Sequence, residues 1–282
     1  MTTLRLWLRS AGAQLDAISE SASLDAQVLA AHMLNKPRSW ILAHSDEQLD
    51  KNTETALSEA LSQLLKGTPL PYLLGYWEFF GMDFTVTPDV LIPRPETELL
   101  VEHALTWLKD HPGRRRAADI GTGSGCIAIA LAKNCPDLCV TAVDISTAAL
   151  NIAEHNAAKH DVSERITFIH GDLTSPLNGQ YDLICSNPPY IPSHKLPGLA
   201  VTKHEPALAL DGGIEGLDAI RPVLADVPRV LAPDGLMLVE IEATLGEAVV
   251  DLAHELIPNY HACVLPDLAG LPRLLCIELT RA

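Results

Sequence analysis

The stretch Tyr181-Asp-Leu-Ile-Cys-Ser-Asn-Pro-Pro-Tyr190 holds the residues of this 282-residue chain best placed to do chemistry. Asp182 to Ser186 is a short apolar run between polar flanks and reads as a buried strand. Asn187-Pro188-Pro189-Tyr190 cannot continue it. Each proline fixes φ near −65° and lacks an N–H, so the backbone is stiff, with free carbonyls, just where the strand ends. In an open α/β sheet, ligands sit at the carboxyl ends of the strands. At such an edge Asn187 offers an amide, Pro188 a rigid carbonyl and Tyr190 an aromatic face, with Pro189 between them. These four are the candidate substrate-binding residues, and Asn187, Pro188 and Tyr190 the candidate catalytic ones. The plain alternative is a strand closed by a Pro-Pro turn.

Three further strand ends carry residues suited to a nucleoside. Ala118-Asp119-Ile120-Gly121-Thr122-Gly123-Ser124-Gly125 follows one apolar run and opens a helix. Glycines there let the backbone turn tightly and approach a ligand, and the helix N-terminus offers unpaired N–H groups. A dinucleotide loop needs G-x-G-x-x-G, whereas this chain has G-x-G-x-G. Asp119 suits a cation better than a pyrophosphate, which favours a nucleoside with an amino-acid tail. Asp144 ends the next strand, 25 residues on. It can accept both ribose hydroxyls at about 1.5–3 kcal/mol per bond, or it can simply cap the helix that follows. Gly171-Asp172-Leu173 ends a third strand; Asp172 could hold an adenine amino group while Leu173 packs on the ring, or the three could form a turn. Together with Asn187, the loop Gly121–Gly125, Asp144, Asp172 and Leu173 describe S-adenosylmethionine bound beside an amide nitrogen.

These ends need elements to position them. From about residue 116, strand and helix patterns alternate. Strand-like runs cover Ala117–Ile120, Cys139–Ile145, Ile166–His170, Asp182–Ser186, Leu236–Ile241, His261–Leu265 and Leu274–Leu279, with helical runs near 125–134, 146–160, 216–231 and 245–257. The expected fold is an α/β, mostly parallel seven-stranded sheet of Rossmann-like type, with a final antiparallel strand inserted. Residues 1–67 read as a helical bundle. One stripe is Leu4, Leu8, Ala11 and Leu15; a second, after Ser23 as N-cap, is Leu24, Val28, Ala31 and His32; a third runs from Ala56 to Leu65 before Gly67 and Pro69. Six aromatic residues crowd positions 72 to 84. Phe84-Thr85-Val86 and Val90-Leu91-Ile92, separated by Thr87-Pro88-Asp89, suggest a β-hairpin in a linker spanning 68–95. The catalytic domain would then be 96–282, opened by a helix at Glu96-Thr97-Glu98.

Composition narrows the function. The formal charge of −16 opposes a surface built to neutralise phosphates. Arg114-Arg115-Arg116 is the only basic run and reads as a solvated loop. Six cysteines without a CxxC pair read as buried thiols in a reducing compartment, neither a disulfide framework nor a zinc site. No signal peptide or uninterrupted span of about 18 apolar residues is visible, so a cytoplasmic, membrane-free protein with no metal is expected.

The chain resembles the HemK/PrmC-type protein-(glutamine-N5) methyltransferases that modify peptide chain release factors. The resemblance rests on Asn187–Tyr190, Leu91-Ile-Pro-Arg-Pro-Glu-Thr-Glu98, the segment from Pro71 to Phe84, Asp144 to Leu150, Glu205-Pro-Ala-Leu208 with Gly212-Gly213, and Asp267 to Gly270 with Arg273. It implies a helical N-terminal domain of about five helices that grips the substrate. It also implies an S-adenosylmethionine-dependent domain, methylation of the glutamine of a Gly-Gly-Gln loop in class I release factors, and a role in translation termination. A monomer without direct nucleic-acid binding is expected. The chain departs from the family at Glu240-Ile-Glu-Ala-Thr244, which lacks the usual glycine and glutamine. An amide nitrogen is a poor nucleophile. In this reading Asn187 Oδ1 and the Pro188 carbonyl each accept one of its N–H bonds and aim it at the methyl group, while Tyr190 packs on the flat amide. The runner-up is a nucleic-acid amino methyltransferase acting on adenine N6 or guanine N2. A non-catalytic nucleoside-binding module and a nicotinamide dehydrogenase are weaker readings.

Overall fold

The computed structural model describes residues 2–279 and divides into two compact units, one ending at Tyr76 and the other beginning at Trp77. The first unit carries helices α1 (Leu4–Leu15), α2 (Ala22–Met33), α3 (Arg38–Ala43), α4 (Lys51–Leu65) and α5 (Leu70–Leu74). Thr3 caps α1 by accepting from the Leu6 N–H, and Asp50 caps α4 by accepting from Thr53. Its core holds Leu4, Trp7, Leu15, Leu29, Ile41, Leu57, Leu61 and Leu64, with Leu70 and Leu73 of α5 packed against it.

The second helix is rotated relative to the expected stripe. It starts one residue before Ser23, with Ser21 at the cap position, and buries Ala22, Ala26, Leu29 and Ala30. Leu24 is exposed instead. Gly12 of α1 lies beside its first turn, where an added Cβ would make an ordinary contact of 3.7 Å with Ser23 Cα.

The hairpin lies earlier in the chain than expected, at β1 (Tyr76–Phe79) and β2 (Met82–Thr85). Phe80 and Gly81 form its two-residue turn with φ of 53° and 71°, the left-handed pair that matches strand twist. Val90 and Ile92 are buried but form no strand. The Ile92 N–H donates to the Glu205 carboxylate at 3.1 Å instead.

The second unit continues with α6 (Thr97–Asp110), β3 (Arg116–Ile120), α7 (Cys126–Asn134), β4 (Cys139–Asp144), α8 (Thr147–Lys159), β5 (Ile166–His170) and β6 (Tyr181–Ser186). After a long irregular segment come α9 (Ile220–Ala225), α10 (Val227–Val230), β7 (Leu231–Glu240), α11 (Gly246–Leu256), β8 (Tyr260–Pro266) and β9 (Pro272–Leu279). The expected single helix over 216–231 is thus two short ones. Gly216 is left-handed, with φ of 78°, so no helix starts there, and Pro228 opens a second helix after Asp226 ends the first.

The strands pair as β5-β4-β3-β6-β7-β9-β8, parallel from β5 to β7, with β9 antiparallel to both neighbours. This is the expected seven-stranded, mostly parallel sheet with an antiparallel insertion. The chain moves outward from β3 through β4 to β5, then crosses back to β6. The switch between β3 and β6 opens a crevice at their carboxyl ends. Register places Ile120 opposite both Val143 and Ser186, so the loops after β3, β4 and β6 meet at one edge. One core covers each face of the sheet.

The arginine run is not a solvated loop. Arg114 pairs with Asp182 at 3.0 Å, Arg115 with Asp137 at 2.6 Å, and the Arg116 guanidinium lies 4.4 Å from the centre of the Tyr181 ring. The run clamps the start of β3 at the edge away from the crevice. Among the cysteines, Cys126, Cys135 and Cys185 are buried as expected, whereas Cys139 is exposed. No described helix is long and apolar enough to cross a membrane.

Candidate active site

A cleft lies at the switch point, where ligands of open α/β sheets bind. Its floor is the glycine loop after β3. Its walls include Asp144 and Ile145 at the end of β4, Asn187 and Pro189 after β6, the segment 89–97 and the segment 206–209. Of the residues singled out by sequence, Gly121, Thr122, Gly123, Ser124, Asp144, Asn187 and Pro189 all line it. Gly125 turns into α7 behind the loop, where an added Cβ would come 2.9 Å from Ile129 Cδ1, so its role is packing. Pro188 is buried and Tyr190 half-buried, and neither is among the residues that line the cleft. Asp172 and Leu173 lie beyond β5, outside the walls of this cleft.

The glycine loop is tied to the next strand. Asp144 accepts from the Gly123 N–H through Oδ2 and from the Ser146 N–H through Oδ1, both at 2.8 Å. Ser146, not Asp144, is the N-cap of α8, so the capping alternative for Asp144 fails. Asp119 is wholly buried, and its Oδ2 accepts from Thr122 Oγ1 at 2.6 Å and from the Ala128 N–H at 3.2 Å. Its Oδ1 has no partner, the one buried side-chain atom among the described residues of which that is true.

Burial pushes the Asp119 carboxyl up to about 7, against the two hydrogen bonds that favour its charge. The unfolded chain binds that proton only below about pH 4, so stability held in acid is lost as the pH rises through 7. The loss approaches about 4 kcal/mol if nothing compensates the charge. Thermal melts of the ligand-free protein should therefore drop more between pH 5 and pH 8 for the parent than for Asp119→Asn. Equal drops would remove Asp119 as the cause. Burial likewise pushes the Cys126 thiol at the cleft wall up to about 12, which keeps the nucleophilic thiolate form out of the site.

Around Asn187 a second network closes. Asn187 Nδ2 donates to Thr97 Oγ1 at 3.1 Å, and Thr97 Oγ1 donates to Glu240 Oε2 at 2.6 Å. The Tyr190 hydroxyl donates to Glu240 Oε1 at 3.1 Å. Thr97 is the first residue of α6 and Glu240 the last of β7, and both are buried. Burial pushes the Glu240 carboxyl above its ordinary range, opposed by its two hydrogen bonds and by the charge of Arg273. Burial and the Glu240 charge together raise the Tyr190 phenol, so it stays protonated. Neither Asn187 Oδ1 nor the Pro188 carbonyl accepts a hydrogen bond from any described residue. The backbone of Tyr190 is held from behind, since a Cβ on Gly212 would stand 2.7 Å from its Cα. Glu205 braces the facing wall, accepting from Arg94 Nη2 at 2.5 Å as well as from Ile92.

Comparison with known proteins gives this geometry its setting. The PrmC N-terminal domain model matches residues 7–75, and the Methyltransferase small domain model matches residues 95–203. The chain is 44% identical over 256 residues to the release factor glutamine methyltransferase of Moorella thermoacetica, covering 90% of each chain. It belongs to the release factor glutamine methyltransferase family. The enzyme of that name from Coxiella burnetii is 38% identical over 278 residues, 98% of each chain. Among solved structures, the Thermus thermophilus 16S rRNA N2 G1207 methyltransferase in complex with AdoMet and guanosine aligns with a TM-score of 0.51 at 19% identity. That alignment covers 72% of this chain and 49% of the other; at that identity it speaks for the fold alone.

Sequence reasoning passed over Thr97 and Glu240. Thr97 was visible only as part of a helix start and Glu240 as part of a departure from the family pattern. The available signal was a carboxylate closing an otherwise apolar strand, Gly235-Leu-Met-Leu-Val-Glu240, since a buried charge demands partners.

Proposed function

We propose that this chain transfers a methyl group from S-adenosylmethionine to the side-chain N5 amide nitrogen of the glutamine in the Gly-Gly-Gln loop of class I release factors. The observation that carries the reading is the pair of unengaged acceptors, Asn187 Oδ1 and the Pro188 carbonyl, beside a glycine loop that ends a buried strand. A primary amide nitrogen has two N–H bonds to offer such a pair.

The residues present fit the cofactor. Asp119 Oδ1 is an orphaned buried acceptor beneath the loop, suited to a positive amino group. Gly121 and Gly123 are left-handed and carry no Cβ to fill the cleft floor. Asp144 has lone pairs left for a ribose after its two backbone bonds. Bound there, S-adenosylmethionine would supply a sulfonium methyl group for the amide nitrogen, with the thioether as the leaving group. Asn187 and Pro188 orient the amide and stabilise the positive charge growing on its nitrogen. Tyr190, protonated and anchored on Glu240, packs against the flat amide. The departing N–H proton becomes acidic only as the new bond forms and passes to water.

A nucleic-acid target is disfavoured by the charge of −16. The free cysteines and the proposed release factor substrate support a cytoplasmic site of action, and we take the protein to act as a monomer. The deciding experiment is transfer of labelled methyl to purified release factor, with tRNA, rRNA and DNA in parallel and mass spectrometry to locate the product. Label on glutamine is expected; label on nucleic acid alone would overturn the proposal.

In this reading the first unit recognises the substrate. Leu70 and Leu73 pack on its core, so a cut at Gly67 would strand α5, whereas a chain starting at Trp77 keeps the second unit whole. That shortened chain should bind S-adenosylmethionine in calorimetry yet lose most transfer to intact release factor. Full transfer by a folded truncation would remove the recognition role.

A further inference from the structure

The network behind Asn187 has a direction. Glu240 as a carboxylate can only accept hydrogen bonds, and it lies 1% exposed with both oxygens engaged. Thr97 has one hydroxyl proton, and Glu240 takes it at 2.6 Å. The Thr97 oxygen is therefore left as an acceptor, and the Asn187 group facing it must be a donor, the Nδ2 that lies 3.1 Å away. With Nδ2 committed inward, Oδ1 is the end left for the cleft. The amide of an asparagine is otherwise free to turn over, because its two ends are nearly the same size. We propose that Glu240 is a positioning residue that, through Thr97, fixes which end of the Asn187 amide faces the substrate, while its second oxygen holds Tyr190. This rests on Asn187 being the acceptor for the substrate amide, as argued above.

The same geometry says what a neutral substitute would do. Glutamine matches glutamate in shape but offers one acceptor oxygen where the carboxylate offers two. It can serve Thr97 or Tyr190 as an acceptor, not both. If its NH2 faces Thr97, the threonine proton is turned toward Asn187, which must then present Oδ1 inward and Nδ2 to the substrate. An N–H facing an N–H repels, and the productive pose is lost in a fraction of molecules. Arg273 and Glu96 supply the other charges acting on Glu240, and neither makes a hydrogen bond to it among the described residues.

The test uses the full-length protein with Glu240→Gln, Thr97→Val, the double variant and Thr97→Ser. Transfer to purified release factor should show kcat lowered on the order of 10-fold to 100-fold in Glu240→Gln and in Thr97→Val, with KM for release factor and affinity for S-adenosylmethionine within about twofold of the parent. The double variant should be no worse than the weaker single, because the two residues act as one unit. Thr97→Ser, which keeps the hydroxyl, should restore most of kcat. A folded Glu240→Gln protein with parental kcat, or additive losses in the double variant, would overturn the proposal. A second readout needs no methyl transfer. The Asn187 side-chain amide signals in a 1H–15N spectrum, assigned by their loss in Asn187→Ala, should move in Glu240→Gln and in Thr97→Val and return in Thr97→Ser. Unchanged Asn187 signals in both overturn the positioning role even if release factor proves not to be the substrate. Moved signals together with an inactive parent support the positioning role and reject the proposed reaction alone.

Discussion

Replacing Asn187 with alanine should lower turnover on release factor roughly 10²–10³-fold, the usual cost of losing one preorganised hydrogen-bonding group at a reacting centre. The Pro188 carbonyl would then be the sole acceptor, and an amide held at one point can rotate away from the methyl group. Asn187 Nδ2 bonds to Thr97 Oγ1, not to the glycine loop, so cofactor affinity should fall far less than rate. Asn187→Asp separates the two ends of the side chain. It keeps an acceptor toward the substrate but sets a carboxylate oxygen against a Thr97 oxygen whose proton already serves Glu240. Asp should therefore retain more activity than Ala yet fall well short of the parent. Single-turnover rates with saturating cofactor measure both. Parental rates in both variants would make Asn187 a structural cap and put the reacting centre elsewhere.

Why the sheet and the cleft could be read in advance, and the first unit and the Glu240 network only in part, follows from how local the governing forces are. Strands such as Ile166–His170 are short apolar runs with polar ends, and the motifs directly after β3, β4 and β6 line the cleft, so period and punctuation sufficed for these; Asp172 and Leu173 after β5 lie outside its walls. The face of α2 was different. Its hydropathy is nearly uniform around the helix, so the choice of Ala26 over Leu24 for the interior is made by packing against the other helices, which sequence spacing does not carry. The hairpin turned on two left-handed residues, and Phe80 is a type that rarely adopts that conformation; Thr87-Pro88-Asp89 was the stronger local turn signal, yet Glu205, 113 residues further on, claims the Ile92 N–H there. Arg114–Arg116 read as solvated because their partners Asp137 and Asp182 are distant in sequence. Glu240 is the same case at the site: its partners Thr97 and Tyr190 lie 143 and 50 positions away. Cleft residues that follow their own strands directly were visible, and contacts assembled across the sheet were not.

Asp144→Ala should weaken S-adenosylmethionine binding by about 2–4 kcal/mol, or some 30-fold to 1,000-fold in Kd, while the protein remains folded. Two losses combine in that figure. The carboxylate has about four lone-pair sites, and the backbone uses two of them, one from Gly123 and one from Ser146. The remaining two are unused on a residue that lines the cleft, and they suit the paired hydroxyls of a ribose. Alanine removes the ribose contacts and also unties the glycine loop from the start of α8. Affinity alone cannot tell these apart, so the decisive comparison changes the ligand as well. Calorimetric titration of the parent with S-adenosylhomocysteine and with its 2′-deoxy analogue should show the analogue binding at least about tenfold more weakly, from loss of one charge-assisted bond. In Asp144→Ala the two ligands should bind alike, since the acceptor for that hydroxyl is gone. Asp144→Asn keeps one acceptor oxygen and should fall between. A parent indifferent to the missing hydroxyl, with Asp144→Ala still weakened, would leave Asp144 as a loop anchor and move the ribose contact to another residue.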